Sequence, residues 1–184
     1  MQAAVLHQRR DPLVIEDVEL DAPGPGEARV RLVASGVCHS DYSHWRRDTW
    51  TPLPLVLGHE GAGVVTAVGP EVSQVKAGDH VILAFGNKCG TCAYCRRGQP
   101  YLCTPEDAGR NVHFRTHIHR NGEAIYQFQG VSSFAQETTL PANNCIPIPF
   151  NVPLEPACLI ACGVSTGIGA VVNVAQVEAG ASVV

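Results

Sequence analysis

Four closely spaced cysteines form the most specific chemical pattern in this sequence. They follow the spacing Cys-x2-Cys-x2-Cys-x7-Cys and comprise Cys89, Cys92, Cys95 and Cys103. Four thiolates complete a tetrahedral shell around Zn²⁺ at about 2.3 Å per bond and leave no position for a substrate. The spacing therefore predicts a structural zinc site. In a [4Fe–4S] ferredoxin run the fourth cysteine follows after about three residues, and disulfides would need an oxidising compartment that nothing here indicates.

A second set of potential ligands is spread along the chain. Cys38, His59 and Cys162 could supply the Cys₂His set of a catalytic zinc, which keeps its fourth position open. Two thiolates balance the charge of the dication, so the centre would favour ionisation of an alcohol hydroxyl. Spacing alone does not choose between Cys158 and Cys162, since residues at i and i+4 share one helical face.

Short β-prone runs between glycine- and proline-rich turns must position these ligands. The runs are residues 3–7, 14–20, 28–33, 63–68 and 80–85. They predict a mainly β fold with a few helices (α+β), either barrel-like or orthogonally folded. Residues 154–174 predict one or two helices, and residues 180–184 predict the start of a buried strand. We therefore expect one domain over residues 1–155 and the beginning of a second over residues 156–184.

Several motifs make the sequence similar to the zinc-dependent alcohol dehydrogenases of the medium-chain dehydrogenase/reductase superfamily. Gly58-His59-Glu60-x2-Gly63-x5-Gly69 resembles the signature of that family. The tetrad at residues 38–41 precedes it and the four-cysteine lobe follows it, in the family's order. Segments 128–136 and 158–167 resemble the strand region beyond the lobe and the segment that supplies the last catalytic ligand. The resemblance implies a GroES-like β-barrel catalytic domain, truncated at the start of a Rossmann-type nucleotide-binding domain.

The same resemblance implies a metal set and its surroundings. It assigns a catalytic zinc to Cys38, His59 and Cys162, and so selects Cys162 over Cys158. With the structural zinc of the four-cysteine lobe, two zinc ions per chain are expected. Asp41 would fix the tautomer of His59. Glu60 would lie behind the metal and approach it during ligand exchange.

Further residues acquire roles in proton and hydride transfer. The resemblance implies that Ser40 takes the substrate proton, that His39 and Thr166 contact NAD or NADP, and that Phe85 lines the substrate channel. Many relatives end the proton relay at a histidine three residues after the relay hydroxyl. Here that position is Ser43, followed by His44, and the sequence leaves open whether the relay ends in water or at His44.

The function implied is the oxidation of an alcohol to an aldehyde or ketone, with hydride transfer to NAD(P). The identity of the alcohol stays open among simple primary alcohols, aryl alcohols and thiol–formaldehyde adducts. No G-x-G-x-x-G motif occurs, and Gly167-Ile-Gly169 lacks the third glycine. We therefore expect these 184 residues to be inactive alone. The alternative is a non-catalytic, zinc-stabilised GroES-like fragment or binding module.

Composition and the remaining motifs exclude other functions. A net charge of −4 argues against nucleic-acid binding, and no apolar run is long enough for a membrane span. The sequence shows no secretory signal, which predicts a cytoplasmic protein, and the resemblance implies a homo-oligomer in the complete enzyme. The G-x-S-x-G match at residues 163–167 is accidental, because no histidine follows it. We expect His117 and His119 to lie in a loop without metal, and Cys145 to be a free packed thiol.

Overall fold

Two β-sheets make up most of the computed structural model, which describes residues 1–47, 51–86, 88–103 and 114–183. The strands in chain order are β1 (Gln2–Leu6), β2 (Val14–Asp17), β3 (Glu19–Leu20), β4 (Glu27–Gly36), β5 (Leu55–Val56), β6 (Glu60–Val68), β7 (His80–Leu83), β8 (Phe114–Arg120), β9 (Glu123–Phe128), β10 (Glu137–Pro141) and β11 (Cys145–Pro147). One sheet has the order β2-β1-β5-β9-β8-β3 and the other the order β10-β4-β6-β7-β11. The mainly β fold with few helices predicted from the sequence is confirmed.

The helices in the described part of the chain are short. They are α1 (His39–Arg46), α2 (Ala93–Arg96), α3 (Leu154–Ala157) and α4 (Gly163–Gly169). Single 3₁₀ turns occupy Pro100–Leu102, Ala142–Asn144 and Cys158–Ala161, and a π-helical turn at Ala170–Val174 extends α4. The helices predicted at residues 154–174 are therefore present.

The apolar core is divided between the two sheets. One cluster, which includes Val30, Val65, Val81, Leu83 and Leu140, packs strands β4, β6, β7 and β10 together. A second cluster fills the other sheet and joins Ala3, Val5, Val18, Val56, Ile118 and Ile125. Burial of these aliphatic side chains is the main favourable term in folding, and it fixes the ends of β4 and β6 that carry the site.

Close approach of β4 and β6 depends on glycine. The two strands pair antiparallel, and their register shifts between Leu32 and Ala34. A Cβ added at Gly63 would lie only 2.2 Å from the carbonyl oxygen of Arg31. No rotation of a side chain could relieve that clash because the neighbouring atom is backbone. Gly63 of the family-like signature is therefore a packing requirement of the sheet.

Some local predictions were wrong. Residues 14–20 form two strands, because Val18 leaves β2 to bury its side chain. His117 and His119 belong to strand β8, where their rings meet carboxylates, so the loop prediction fails. Residues 129–136, within the segment likened to a strand region, form the turn between β9 and β10, apart from an isolated bridge at Ala135.

The predicted strand at residues 180–184 is not formed in its described part. Residues 181–183 have no strand partner and are exposed. A buried strand requires a neighbouring strand and a covering layer, and neither contacts this segment in the described ranges. The apolar sequence alone therefore did not suffice to form a strand.

The helical segment after β11 carries an exposed apolar surface. Val164, Ile168, Val171 and Val172 are between 42 and 59 % exposed. None of the described helices is by itself long and apolar enough to span a membrane. The bent pair Leu154–Ala161 and Gly163–Val174 meets that criterion by length and composition only.

Candidate metal centres and active site

Four potential metal ligands from three separate segments converge at one end of strands β4 and β6. Cys38, His59, Glu60 and Cys162 each place a ligand atom within 4.8 Å of the others. The two thiol sulfurs are 4.0 Å apart. Tetrahedral zinc with bonds of about 2.3 Å places two sulfurs about 3.8 Å apart, so this donor set fits a zinc ion. The structure thus brings together the three residues predicted as catalytic ligands.

The N-terminus of α1 is built around Cys38 and Asp41. Cys38 is the N-cap residue, and its sulfur accepts a hydrogen bond from the Ser40 amide at 3.4 Å. The Cys38 amide in turn donates to Oδ2 of Asp41 at 3.0 Å. This reciprocal capping fixes the start of the helix, where the partial positive charge favours an ionised thiol.

Asp41 also links α1 to the turn before β6. Its Oδ1 accepts a hydrogen bond from the Gly58 amide at 2.9 Å and lies 3.2 Å from Nδ1 of His59. A neutral imidazole that donates from Nδ1 presents the lone pair of Nε2, which is the form that binds a metal. A hydrogen bond from Nδ1 of His59 to this carboxylate would leave Nε2 free to bind a metal.

Gly36 leaves space for the side chain of Glu60 beside the metal-ligand cluster. One carboxylate oxygen, Oε1, accepts the Gly163 amide at 3.0 Å. A Cβ at Gly36 would lie 2.0 Å from the other oxygen, Oε2. The buried carboxylate thus occupies space that only glycine leaves free, and it ties β6 to the start of α4 directly after Cys162.

The environment of the cluster changes the acidity of its members. Burial opposes ionisation of Cys38, yet hydrogen bonds from Ser40 and His59 leave the pKa of this thiol lowered. Burial raises the pKa of Cys162 to about 11, and the neighbouring Cys38 adds to the effect. Burial alone would lower the pKa of His59, but the hydrogen bond and charge of Asp41 raise it. A cation at the centre would offset the repulsion between the two thiolates.

The four cysteines predicted as a structural site form a second cluster. Their sulfurs all lie within 4.8 Å of one another, with Cys89 and Cys95 3.9 Å apart and Cys92 and Cys103 also 3.9 Å apart. These separations again fit tetrahedral zinc. Cys92 caps α2, and its sulfur accepts from the Cys95 amide at 3.5 Å. Among the described residues the donor set consists of these four thiols, which suits a closed, structural site.

The four thiols differ in acidity because their hydrogen bonds differ. Donors from Thr91 and the Cys92 amide lower the pKa of Cys89 to about 6. Burial raises the pKa of Cys103 to about 12. The lobe formed by residues 88–103 contributes no side chain to the described hydrophobic clusters. A bound metal would therefore replace an apolar core in this lobe.

The residues predicted to act on substrate and cofactor lie around the first cluster. Ser40 is half-buried in the first turn of α1, while His39 and Thr166 are exposed. Phe85 places its ring edge against that of His59, with centroids 5.3 Å apart. The predicted site residues are thus neighbours in space, although their roles in turnover are not visible in the geometry itself.

The two candidates for the end of a proton relay make different contacts. Nδ1 of His44 lies 2.9 Å from the carbonyl oxygen of Ser40. Oγ of Ser43 lies 3.3 Å from Nδ1 of His39. His44 therefore contacts the backbone carbonyl of Ser40. Among the described contacts, none joins the His44 ring to the Ser40 hydroxyl.

Two contributors to the site were missed by sequence reasoning. Gly36 provides the space for Glu60, and Phe128 packs its ring against those of His59 and His44 at 5.6 and 4.6 Å. Phe128 is the first residue of segment 128–136, which resembles a region of the alcohol dehydrogenase family. Its position in the sequence therefore gave a reason to consider it. Gly36 carried none, because the contact depends on how β4 and β6 bend.

Known proteins resemble this chain in sequence and structure. The family described as the alcohol dehydrogenase GroES-like domain matches residues 24–150. Alcohol dehydrogenase class-3 of Dictyostelium discoideum is 39 % identical over 99 % of this chain and 49 % of its own length. S-(hydroxymethyl)glutathione dehydrogenase of Saccharomyces cerevisiae is 40 % identical over 98 % of this chain and 48 % of its own length. The chain thus spans about half the length of the curated relatives that it matches.

Solved structures of known proteins are also similar to this chain. An alcohol dehydrogenase zinc-binding domain protein from Burkholderia ambifaria superposes with a TM-score of 0.88 at 41 % identity, over 98 % of this chain and 50 % of that chain. Benzyl alcohol dehydrogenase from Acinetobacter calcoaceticus superposes with a TM-score of 0.83 at 32 % identity, over 94 % of this chain and 47 % of that chain.

Proposed function

Since the chain belongs to the alcohol dehydrogenase GroES-like domain family, we propose that it is the zinc-binding catalytic part of an enzyme that oxidises an alcohol to an aldehyde or ketone. The observation that carries this proposal is the convergence of Cys38, His59 and Cys162, with Asp41 behind His59. Three ligands with one open position are typical of a catalytic zinc rather than a structural one. The four-cysteine lobe would hold a second, structural zinc.

Residues of this chain would prepare the open position for an alcohol. Cys38 and Cys162 supply two negative charges, and His59 supplies a neutral nitrogen oriented by Asp41. A zinc ion in this site supplies Lewis acidity to the hydroxyl of an alcohol. Phe85 lies edge-on to His59, and we propose that it lines the channel through which the alcohol reaches the metal. We propose Glu60 as the carboxylate that approaches the metal when one ligand replaces another.

Ser40 is the proposed acceptor of the alcohol proton. It lies in the first turn of α1, two residues after the ligand Cys38, and its amide is held by the Cys38 sulfur. A hydroxyl can accept and donate a proton at the same time, so it can pass charge outward without ionising. Since Nδ1 of His44 is directed to the Ser40 carbonyl, we propose that the proton continues to solvent.

The hydride acceptor is proposed to be NAD or NADP. His39 and Thr166 are exposed on the side of the metal cluster and could contact such a cofactor. A reactive ring must be held at a fixed distance for hydride transfer, and that positioning contributes a large part of the rate. The 184 residues contain no Gly-rich dinucleotide motif, so we propose that they do not turn over alcohol by themselves.

Three further proposals concern the setting of the enzyme. The substrate would be a small alcohol or aldehyde, the complete enzyme would form a homo-oligomer, and the compartment would be the cytoplasm. Thiols arranged as metal ligands, rather than as disulfides, support a reducing compartment.

The test is an activity assay on a zinc-loaded chimera. Residues 1–184 are joined to the part of the Burkholderia ambifaria protein that this chain does not match. We expect NAD(P)-dependent oxidation of benzyl alcohol or ethanol by the chimera, none by residues 1–184 alone, and a loss of about 100-fold or more in kcat on Ser40→Ala. A folded, zinc-loaded chimera with no activity on any alcohol would favour the alternative of a non-catalytic, zinc-stabilised module.

A further inference from the structure

A cavity beside the metal cluster has the position of a substrate pocket. It has a volume of about 420 Å³, and its wall includes Phe85, Lys88, Tyr101, Gln129 and Ala161. Phe85 meets the ring of His59 edge-on at 5.3 Å, and Ala161 directly precedes Cys162. The cavity therefore opens next to two ligands of the proposed catalytic zinc.

Among the described residues of the cavity wall, Lys88 carries a positive charge. The chain contains two lysines, and the other, Lys76, is 82 % exposed and forms an ion pair with Asp79 at 2.7 Å. Lys88 is half-buried, and no carboxylate in the described ranges pairs with it. Partial burial weakens the screening of its charge by water, so an anion in the cavity would experience the ammonium group strongly.

The rest of the described wall contains one further group that can carry charge, the thiol of Cys103, which belongs to the four-cysteine lobe. No acidic side chain among the described residues lines the cavity, and its other polar groups include the phenol of Tyr101 and the amide of Gln129. Gln129 lies in the turn between β9 and β10 and has a φ of 56°. The apolar surface of Phe85 lies toward His59. The cavity thus combines an apolar inner side, suited to carbon atoms near a reacting hydroxyl, with a cation that pairs with no carboxylate of the described residues.

We propose that Lys88 determines substrate specificity by binding a carboxylate at the far end of the alcohol. The substrate class is a hydroxy acid whose reacting hydroxyl and carboxylate are separated by an aryl ring or a short alkyl chain. This inference rests on the proposed alcohol oxidation and deepens it. Lys88 acts on substrate selection and takes no part in the chemical step.

Lys88 also precedes Cys89, and its charge could instead stabilise the thiolates of the four-cysteine lobe. The two roles predict different measurements. A lysine that serves the lobe would alter zinc retention there and would affect all alcohols equally. A lysine that binds substrate would alter kcat/KM for anionic alcohols and leave neutral alcohols and zinc content unchanged.

The experiment uses the zinc-loaded chimera described above and two matched substrate pairs. These are para-(hydroxymethyl)benzoate with para-(hydroxymethyl)benzamide, and ω-hydroxyhexanoate with hexanol. We expect the anionic member of at least one pair to have the higher kcat/KM. Lys88→Gln should reduce that kcat/KM by about tenfold, mainly through KM, because a charge-assisted hydrogen bond is lost. Lys88→Arg should keep most of the preference, and Lys76→Gln should change nothing.

The other possible outcomes separate the proposed role of Lys88 from the proposed function. Activity on the neutral alcohols with no preference for either anion would overturn the inference and leave the proposed function intact. An equal loss on all four alcohols in Lys88→Gln, together with lower zinc content, would assign Lys88 to the lobe. Absence of activity on every alcohol would refute the proposed function itself.

Discussion

Oδ1 of Asp41 lies 3.2 Å from Nδ1 of His59, and the two side chains are only 3 % and 1 % exposed. The same carboxylate holds the amides of Cys38 and Gly58, so one side chain positions a cysteine ligand and a histidine ligand. Their relative position therefore depends on a group that does not itself bind the metal.

Asp41→Asn should weaken zinc binding at this centre by about 10- to 100-fold, the range typical of groups that orient a metal-bound histidine. The amide is nearly isosteric, but it removes the charge that favours the correct tautomer of His59. Release of zinc to a chromophoric chelator measures the effect. Asp79→Asn, which removes a carboxylate that pairs with Lys76 and belongs to neither cysteine cluster, is the matched control. Equal zinc affinity in Asp41→Asn and the wild type would show that Asp41 has no such role.

Loss of a lobe cysteine should damage folding more than loss of a ligand at the other centre. Residues 88–103 bury no side chain in the described hydrophobic clusters, so the lobe would depend on its bound zinc for stability. Cys95→Ser removes one of the four ligands of that zinc. Limited digestion with trypsin should then cut at Arg96 and Arg97 many times faster than in the wild type. Cys162→Ser should digest like the wild type. Similar digestion of both variants would argue against this division.

A methyl group at Gly63 should destabilise the protein, because it would lie 2.2 Å from the Arg31 carbonyl oxygen. We expect Gly63→Ala to lower the free energy of unfolding by about 1–3 kcal/mol, the usual cost of overpacking. Gly167→Ala in α4 meets no atom within 4 Å and should be neutral or slightly stabilising. Chemical denaturation of the zinc-loaded proteins gives both values. If Gly63→Ala is as stable as Gly167→Ala, strands β4 and β6 are not as close as described.

The buried thiol of Cys145 should lower the free energy of unfolding at alkaline pH. Burial raises the pKa of its thiol from an ordinary value of 9.0 to about 12. Between these two values the unfolded chain ionises the thiol while the folded chain keeps it protonated, so the free energy of unfolding falls as the pH rises. Cys145→Ala should lose this part of the pH dependence when denaturation midpoints at pH 7 and pH 10 are compared. The same thiol should resist alkylation in the native protein, and rapid native labelling would contradict its burial.

The sequence predicted the site better than it predicted the fold. The spacing of the four cysteines and the Gly58-His59-Glu60 motif led to both ligand sets, because metal ligands are constrained in residue type and interval. The core strands β6 and β7 were also found, since Val-rich runs between glycine turns have few other structures available. The prediction that Cys145 is a free, packed thiol was confirmed, since it is a free cysteine that is only 2 % exposed.

Other features depended on contacts between distant segments. His117 and His119 looked like loop residues in a polar stretch, but pairing of β8 with β9, together with the carboxylates of Asp21 and Glu27, places them in a strand. Residues 180–183 have strand-forming composition but no neighbour with which to pair. The space that Gly36 leaves for Glu60 could not be read from the sequence, because it arises from the bend of two strands.

The most direct test of the two-centre account is the zinc content of purified protein. The measurement compares the wild type with Cys38→Ser and Cys92→Ser, all prepared without chelator, by elemental analysis of the folded fraction. The account predicts about two equivalents of zinc per chain in the wild type and about one in each variant, because the two ligand sets share no residue. One equivalent in the wild type that persists in Cys92→Ser, or two equivalents that persist in Cys38→Ser, would contradict it.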